Sequence, residues 1–303
     1  VDSREIKRNS LFVAIKGERE NGHKYIEDVI AKGASAIIVS DKDYVSDDVF
    51  IKAGCVKIIV QNSRLALAKV STNFFNNPTG KLTLIGITGT KGKTTTAFYI
   101  KSILENAGFK TGLIGTIANY IGDQVFDTKL TTPLSNTLNK LFAKMIMSGC
   151  SHCVMEVSSH SLDFNRVDYL AFDAAVFCNI TSDHMDYHKT FENYFNAKKK
   201  LFDMLPKGGL AITNSDDKNG LEIVKSTKAK ISTYGKNDAD YTIENINYSF
   251  LGTNFTIVHK DVKYELHTNL VGHFNAYNAA SAFALFSEMG MNKELIIDGI
   301  KKT

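Results

Sequence analysis

The chain has 303 residues and little that would place it in a specialised class. No apolar run approaches the ~20 residues a membrane-spanning helix needs, so no membrane partner is expected. The opening VDSREIKRNS is charged and polar and carries no secretory-signal pattern; it also lacks an initial methionine, so a trimmed or partial chain is expected. Four cysteines are present, and only Cys150 and Cys153 form a C-x-x-C. A zinc site would want a second pair or histidines at ligand spacing, whereas CSHCVMEV runs straight into an apolar strand. Buried free thiols in a reducing, cytoplasmic compartment are the reading that follows. Net charge is only +4, too weak and dispersed for a nucleic-acid partner but suited to small anionic ligands. There is no internal repeat and no low-complexity tract.

What is present reads as α/β. Residues 1–80 alternate strand and helix signals: LFVAIKG, ASAIIVSD and VKIIVQNS as strands, with KYIEDVIAKG and RLALAKVSTNFFN as helices. NNPTGK (76–81) is turn chemistry, and a domain boundary is expected there, with a second domain over 81–303. That domain opens with a β-α-β unit: LTLIGITGT, a helix over 94–107, and KTGLIGTI. HCVMEVSS and DAAVFCNI are apolar on both faces, as in a parallel sheet covered by helices. From about 231 to 272 shorter alternating segments predict a small antiparallel section. Two helices follow, HFNAYNAASAFALFSEMG and KELIIDGIKK.

The stretch GITGTKGKTTT sets glycines and lysines between a buried strand and a helix. Such a bend aims backbone N–H groups and a helix N-terminus at one point, and both favour a phosphate. Gly86, Gly89 and Gly92 permit close backbone approach, Lys93 can reach terminal phosphates, and the Thr94 hydroxyl suits Mg²⁺. The usual G-x-x-x-x-G-K-[ST] pattern needs glycine at position 87, where Ile87 stands, so this is a variant loop. Glu156 ends an apolar strand and is either a metal ligand, direct or through water, or a surface carboxylate. Asp183, His184, Asp186 and His188 follow another strand, where histidine serves equally as metal ligand, acid/base or helix cap.

GITGTKGKTTT, TTP (131–133), MEVSSHSL, NITSDHMDYH and NAYNAASA occur in the order seen in the Mur ligases, and the chain resembles that family over essentially its whole length. The resemblance is closest to the MurE type, and DSREIKRNSLFVAIKGERENGHKYIEDVIAKGASAIIV resembles that type's UDP-binding domain. It implies a small N-terminal α/β UDP-binding domain and a central P-loop ATPase-like domain, without the C-terminal domain that selects the amino acid. It implies an ATP-dependent ligase of peptidoglycan synthesis. A diamino acid, L-lysine or meso-diaminopimelate, would be joined to UDP-N-acetylmuramoyl-L-alanyl-D-glutamate through an acyl phosphate. The alternatives are a MurF-type ligase and a non-catalytic relative that binds ATP and a UDP-sugar.

Residue by residue, the resemblance implies that Gly89, Thr90, Lys91, Gly92, Lys93, Thr94 and Thr95 hold ATP phosphates, with Asn275 and Asn278 near adenine. Thr94, Glu156 and His184 would lie around Mg²⁺, together with Lys198 as a carbamate. Lys93, Glu156, His184 and Lys198 form the implied catalytic set. Ser3 and Arg4 match the uridine end; Thr131, Thr132, Ser158 and Arg166 match the muramoyl-peptide end. Ser161 stands where the family usually has glycine or alanine, and little effect is expected. A bacterial, cytoplasmic monomer is implied.

Overall fold

In the computed structural model, residues 1–17 and 20–303 are described. The chain divides into two compact units, Val1–Phe74 and Phe75–Thr303. Asn76–Lys81 therefore goes with the second unit. Its turn is tied there by the Ala171 N–H, which donates to Thr79 Oγ1 at 3.1 Å.

The first unit contains β1 (Leu11–Val13), α1 (Ile26–Ala31), β2 (Ala36–Val39), α2 (Asp47–Ala53), β3 (Val56–Ile59) and α3 (Ser63–Phe74). Its three strands run parallel in the order β1-β2-β3. Phe12, Val29, Ile37, Val39 and Phe50 form its core. The short helix α2 is not picked out by the sequence reading. It ends at Gly54, which takes a left-handed φ of 63°, the usual chemistry of a helix stop.

The second unit begins with β4 (Thr83–Thr88), α4 (Lys93–Asn106) and β5 (Thr111–Ile114). A hairpin of β6 (Asn119–Ile121) and β7 (Gln124–Phe126) follows, then α5 (Ser135–Met147), β8 (His152–Glu156), α6 (Ser159–Asp163) and β9 (Ala174–Phe177). Next come α7 (Met185–His188), α8 (Phe191–Asp203), β10 (Leu210–Asn214), α9 (Gly220–Ile223) and β11 (Lys230–Gly235). The unit ends with β12 (Tyr241–Ser249), β13 (Gly252–His259), β14 (Val262–Thr268), α10 (His273–Glu288) and α11 (Lys293–Lys301).

All eleven strands form one sheet, β14-β13-β12-β11-β10-β9-β4-β8-β5-β6-β7. From β12 to β5 every neighbouring pair is parallel; the antiparallel pairs lie at the two edges. The antiparallel section therefore starts later than position 231, since β11 and β12 still run parallel. The β6–β7 hairpin is an element the sequence reading does not contain. Alternation along β4 shows why both faces need helices. Ile85 and Ile87 enter one core with Ile100, Ala279 and Ile300; Leu84 enters the other with Phe142, Phe172 and Leu201.

The strand order also sets where the site lies. From β4 the chain moves to β5 on one side, comes back to β8, and then crosses to β9 on the other. Reversals of this kind leave a crevice at the carboxyl ends of the strands. The loops after β4, β8 and β9 all open there.

Candidate active site

The loop after β4 leads into α4 through Gly92, whose φ is 87°. A Cβ on Gly92 would sit 2.5 Å from Asn278 Oδ1, and one on Gly89 would sit 2.9 Å from the Cys178 Cβ. These two glycines are thus required by close approach. Gly86 is different: it lies within β4, and its Cβ would strike the Phe172 ring at 2.8 Å. It is a packing glycine, not part of the bend that leads into α4.

Asn179, just past β9, holds the loop in shape. Its carbonyl accepts from Thr90 N at 2.9 Å. Its side-chain amide accepts from Lys91 N at 3.0 Å and donates to Lys91 O at 3.1 Å. Thr181 adds a second tie, its N–H donating to Thr90 Oγ1 at 3.0 Å. Neither residue is singled out by the sequence reading. The available signal is position: Asn179 is a polar residue at the carboxyl end of an apolar parallel strand.

Two lysines converge on the loop. Lys93 Nζ donates to the carbonyls of Gly89 at 2.9 Å and Thr90 at 3.1 Å. Lys198, on the inner face of α8, donates to the same Gly89 oxygen at 2.9 Å and lies 4.7 Å above the Tyr194 ring. Lys198 is only 2% exposed, unlike its neighbours in the lysine run. Burial, and next the Lys93 charge, bring its pKa down to about 7. Lys199 instead pairs with Asp203 and Lys200 with Asp163.

Glu156, the last residue of β8, is 1% exposed. Both its oxygens accept from Thr94 Oγ1 at 3.0 Å. Thr116, just beyond β5, donates its N–H to Oε1 at 2.9 Å and its hydroxyl to Oε2 at 3.0 Å. Thr116 is a third residue the sequence reading does not single out. His184 caps the short α7 beyond β9. Its backbone is left-handed at φ 55°, and its ring lies 4.8 Å from His160 and 6.3 Å from Tyr194. Asp183 is its 3.7 Å acidic neighbour. Among the described residues, no three His, Cys, Asp or Glu side chains gather as a metal-holding group.

Thr131 Oγ1 lies 3.1 Å from Thr116 Oγ1. Thr132 is buried; its hydroxyl donates to the Glu156 carbonyl at 2.8 Å and accepts from Ser158 N at 3.2 Å. Arg166 donates to Thr132 O at 2.9 Å, so TTP, Ser158 and Arg166 form one connected wall. Ser161 joins this wall, its buried hydroxyl donating to Ser158 O at 2.6 Å.

Beside the loop lies a cavity of about 650 Å³, lined by Gly92, Thr95, Asn179, Phe274, Tyr277 and Asn278 among others. That volume is in the range of nucleotide-sized sites. Asn278 faces Gly92, while Asn275 sits behind it, donating to Val271 O at 3.0 Å. Ser3 and Arg4 lie in the first unit, on a short 3-10 turn capped by the Asp2 side chain. Arg4 pairs with Asp2 at 2.7 Å and is widely exposed. The four cysteines are all free and buried, as the C-x-x-C context predicts.

Comparison with known proteins joins these pieces. The Mur ligase middle domain matches residues 87–286, and the catalytic domain of the Mur ligase family matches residues 1–75.

The chain belongs to the Mur ligase family.

Among its curated relatives, the UDP-N-acetylmuramoyl-L-alanyl-D-glutamate--2,6-diaminopimelate ligase of Clostridium tetani (strain Massachusetts / E88) is 44% identical over 99% of this chain and 61% of its own length. The Clostridium perfringens (strain 13 / Type A) protein of the same name is 43% identical, again over 99% of this chain and 61% of its own length. The chain thus spans about three fifths of these relatives. A solved structure of a UDP-N-acetylmuramoyl-L-alanyl-D-glutamate--2,6-diaminopimelate ligase superposes with a TM-score of 0.87 at 26% identity, covering 100% of this chain and 62% of that one. MurF from Acinetobacter baumannii superposes at 0.72 with 22% identity, over 100% of this chain and 62% of its own, a likeness of fold alone. No helix among the described residues is long and apolar enough to cross a membrane.

Proposed function

We propose that this chain carries the ATP and acceptor sites of a MurE-type ligase. That enzyme would join a diamino acid to UDP-N-acetylmuramoyl-L-alanyl-D-glutamate in bacterial peptidoglycan synthesis, as a cytoplasmic monomer. The observation that carries the reading is the meeting of Lys93 and buried Lys198 on the Gly89 carbonyl within a phosphate-type loop. The names of the relatives above support this choice of substrate.

In the expected reaction a carboxylate oxygen of the acceptor attacks the γ-phosphorus of ATP, and ADP leaves. The incoming amine then attacks the acyl carbon, and phosphate leaves. Activation is needed because a carboxylate oxygen is a poor leaving group. The residues contribute position and charge rather than a covalent nucleophile. The loop from Gly89 to Thr94 and the N-terminus of α4 cradle the phosphates, and Lys93 neutralises the transferring one. Asn278 borders the nucleoside cavity, and Arg166 offers its fork to an acceptor anion. Ser3 and Arg4 are assigned to the uridine end.

The donor set fits a hard cation. Thr94 spends its proton on Glu156, which leaves its lone pairs free, and the buried carboxylate supplies the negative charge that oxygen-preferring Mg²⁺ requires. When bound, Mg²⁺ would offset charge on the phosphates; His184 is assigned to its surroundings. Lys198 fits carbamylation, because a pKa of about 7 leaves a large neutral fraction near neutrality, and the neutral amine is the form that takes up CO₂. The carbamate would add a second carboxylate-like anion beside the loop.

Calorimetric titration with UDP-N-acetylmuramoyl-L-alanyl-D-glutamate tests the reading, with UDP-N-acetylglucosamine as control. Selective binding of the dipeptide form is expected in the chain or in its full-length protein. Absence of selectivity in both would overturn the MurE-type assignment.

A further inference from the structure

Glu156, Thr116 and Thr131 form a line of hydrogen bonds whose direction can be read from proton count. A carboxylate has only lone pairs to offer, and a threonine hydroxyl has one proton. The Thr116 hydroxyl gives that proton to Glu156 Oε2 at 3.0 Å. At its 3.1 Å contact with Thr131 it must then accept, so Thr131 is the donor. The Thr131 proton is therefore committed to Thr116, and only its lone pairs remain for a ligand. Thr94 is set the same way at the other end, giving its proton to Glu156.

The backbone is arranged for this line. Thr116 N adds a third donor to the carboxylate at 2.9 Å. Gly115 leaves the room, since a Cβ there would sit 2.4 Å from Glu156 Oε1. Thr132 cannot substitute for Thr131, because its own hydroxyl is buried and spent on the Glu156 carbonyl.

We propose that Thr116 is a positioning residue that locks Thr131 as a hydrogen-bond acceptor, so that this wall of the cleft selects a ligand N–H, the amide of a peptide acceptor. The inference rests on the acceptor reading above. Arg166, tied to Thr132 in the same wall, is suited to the anionic groups of such a ligand, and Thr131 to its amide.

Two measurements test it. The first is calorimetric titration of wild type, Thr116→Val and Thr116→Ser with UDP-N-acetylmuramoyl-L-alanyl-D-glutamate and with an analogue whose L-alanyl–D-glutamate amide N–H is an ester oxygen. The ester should weaken wild-type binding ~5-fold, the scale of one hydrogen bond. Thr116→Val should discriminate less than ~2-fold and Thr116→Ser like wild type. Equal discrimination by Thr116→Val and wild type would overturn the proposal. The second measurement needs no ligand: the Thr131 methyl resonance in the free protein. Thr116→Val should move it toward a rotamer-averaged position and Thr116→Ser should not; an unmoved Thr131 methyl in Thr116→Val also overturns the proposal. If neither this chain nor its full-length protein binds either ligand, the acceptor reading fails, and the methyl spectrum alone decides the role of Thr116.

Discussion

Lys93 and Lys198 donate to one oxygen, the Gly89 carbonyl, each at 2.9 Å. Two ammonium groups on a single acceptor repel each other, and the repulsion falls on the buried one. Burial is the first cause of the lowered Lys198 pKa, and the Lys93 charge the second. Lys198 therefore costs stability whenever the folded protein must carry it charged. Its folded pKa of about 7 lies below the ordinary value of 10.5. Between those limits the unfolded chain binds more protons, so stability contributed by this group rises with pH and is lost as pH falls toward 7. Lys198→Met should stabilise the protein at pH 7 by more than ~1 kcal/mol and flatten that rise. Urea unfolding from pH 7 to 10 in CO₂-free buffer measures both; a slope unchanged by the substitution would place the titration on another group.

In the proposed ligase the same pair should separate into two functions. Lys93→Ala should abolish turnover and should not respond to added carboxylic acids, because what it removes is a positive charge at the phosphates. Lys198→Ala should lose activity by ~100-fold or more and recover in part with formate or acetate. In this reading the missing group is an anion. Rescue of both variants, or of neither, would remove the carbamate from the assignment.

The glycine-lysine bend between β4 and α4 was legible because its signal is local. An apolar strand, a glycine-lysine bend and a helix follow one another directly in the chain, so their order alone locates the bend. The two apolar faces of β8 and β9 were legible for the same reason. What failed to show was set by partners distant in sequence. Gly86 looks like a third loop glycine until Phe172 is found against it. Asn179 and Thr116 carry no motif of their own; they matter because β9 and β5 end where β4 and β8 end. The burial of Lys198 is invisible in a run of three lysines, since its inward direction depends on how α8 packs. The β6–β7 hairpin escaped because three-residue strands are too short to display alternation. The placement of His184 beside His160 is likewise a tertiary outcome.

Gly92 tests the loop itself. Its φ of 87° disfavours any side chain, and an added methyl would press on Asn278 Oδ1 at 2.5 Å. Gly92→Ala should therefore weaken binding of an ATP analogue by ~10-fold or more, at a stability cost of ~1–3 kcal/mol. Asn278→Ala removes the obstructing amide but not the backbone strain. Gly92→Ala combined with Asn278→Ala should be more stable than the sum of the two single changes predicts. Strict additivity in thermal melts would show that the amide contact is not the source of the cost.

The first unit holds a separate titration, at His23. Its ring is 1% exposed. Nε2 accepts from the N–H groups of Ser40 and Asp41, both at 3.2 Å, so the proton sits on Nδ1, which donates to Asn21 Oδ1 at 2.8 Å. Charging Nε2 would turn an acceptor of two backbone donors into a third donor. Burial lowers the His23 pKa; Asp41 opposes this and Lys16 adds to it. The folded pKa lies below the unfolded value of 6.5, so the unfolded chain takes up the proton first as pH falls. The stabilisation is complete above 6.5 and declines below it. His23→Ala strands two backbone donors and should cost ~1–3 kcal/mol at pH 7.5. That deficit should shrink as pH drops toward 5, because the variant has nothing to protonate there. Amide exchange at Ser40 and Asp41, followed over this pH range in both proteins, reports the change locally. Parallel pH profiles for wild type and His23→Ala would rule out the imidazole as the group that titrates.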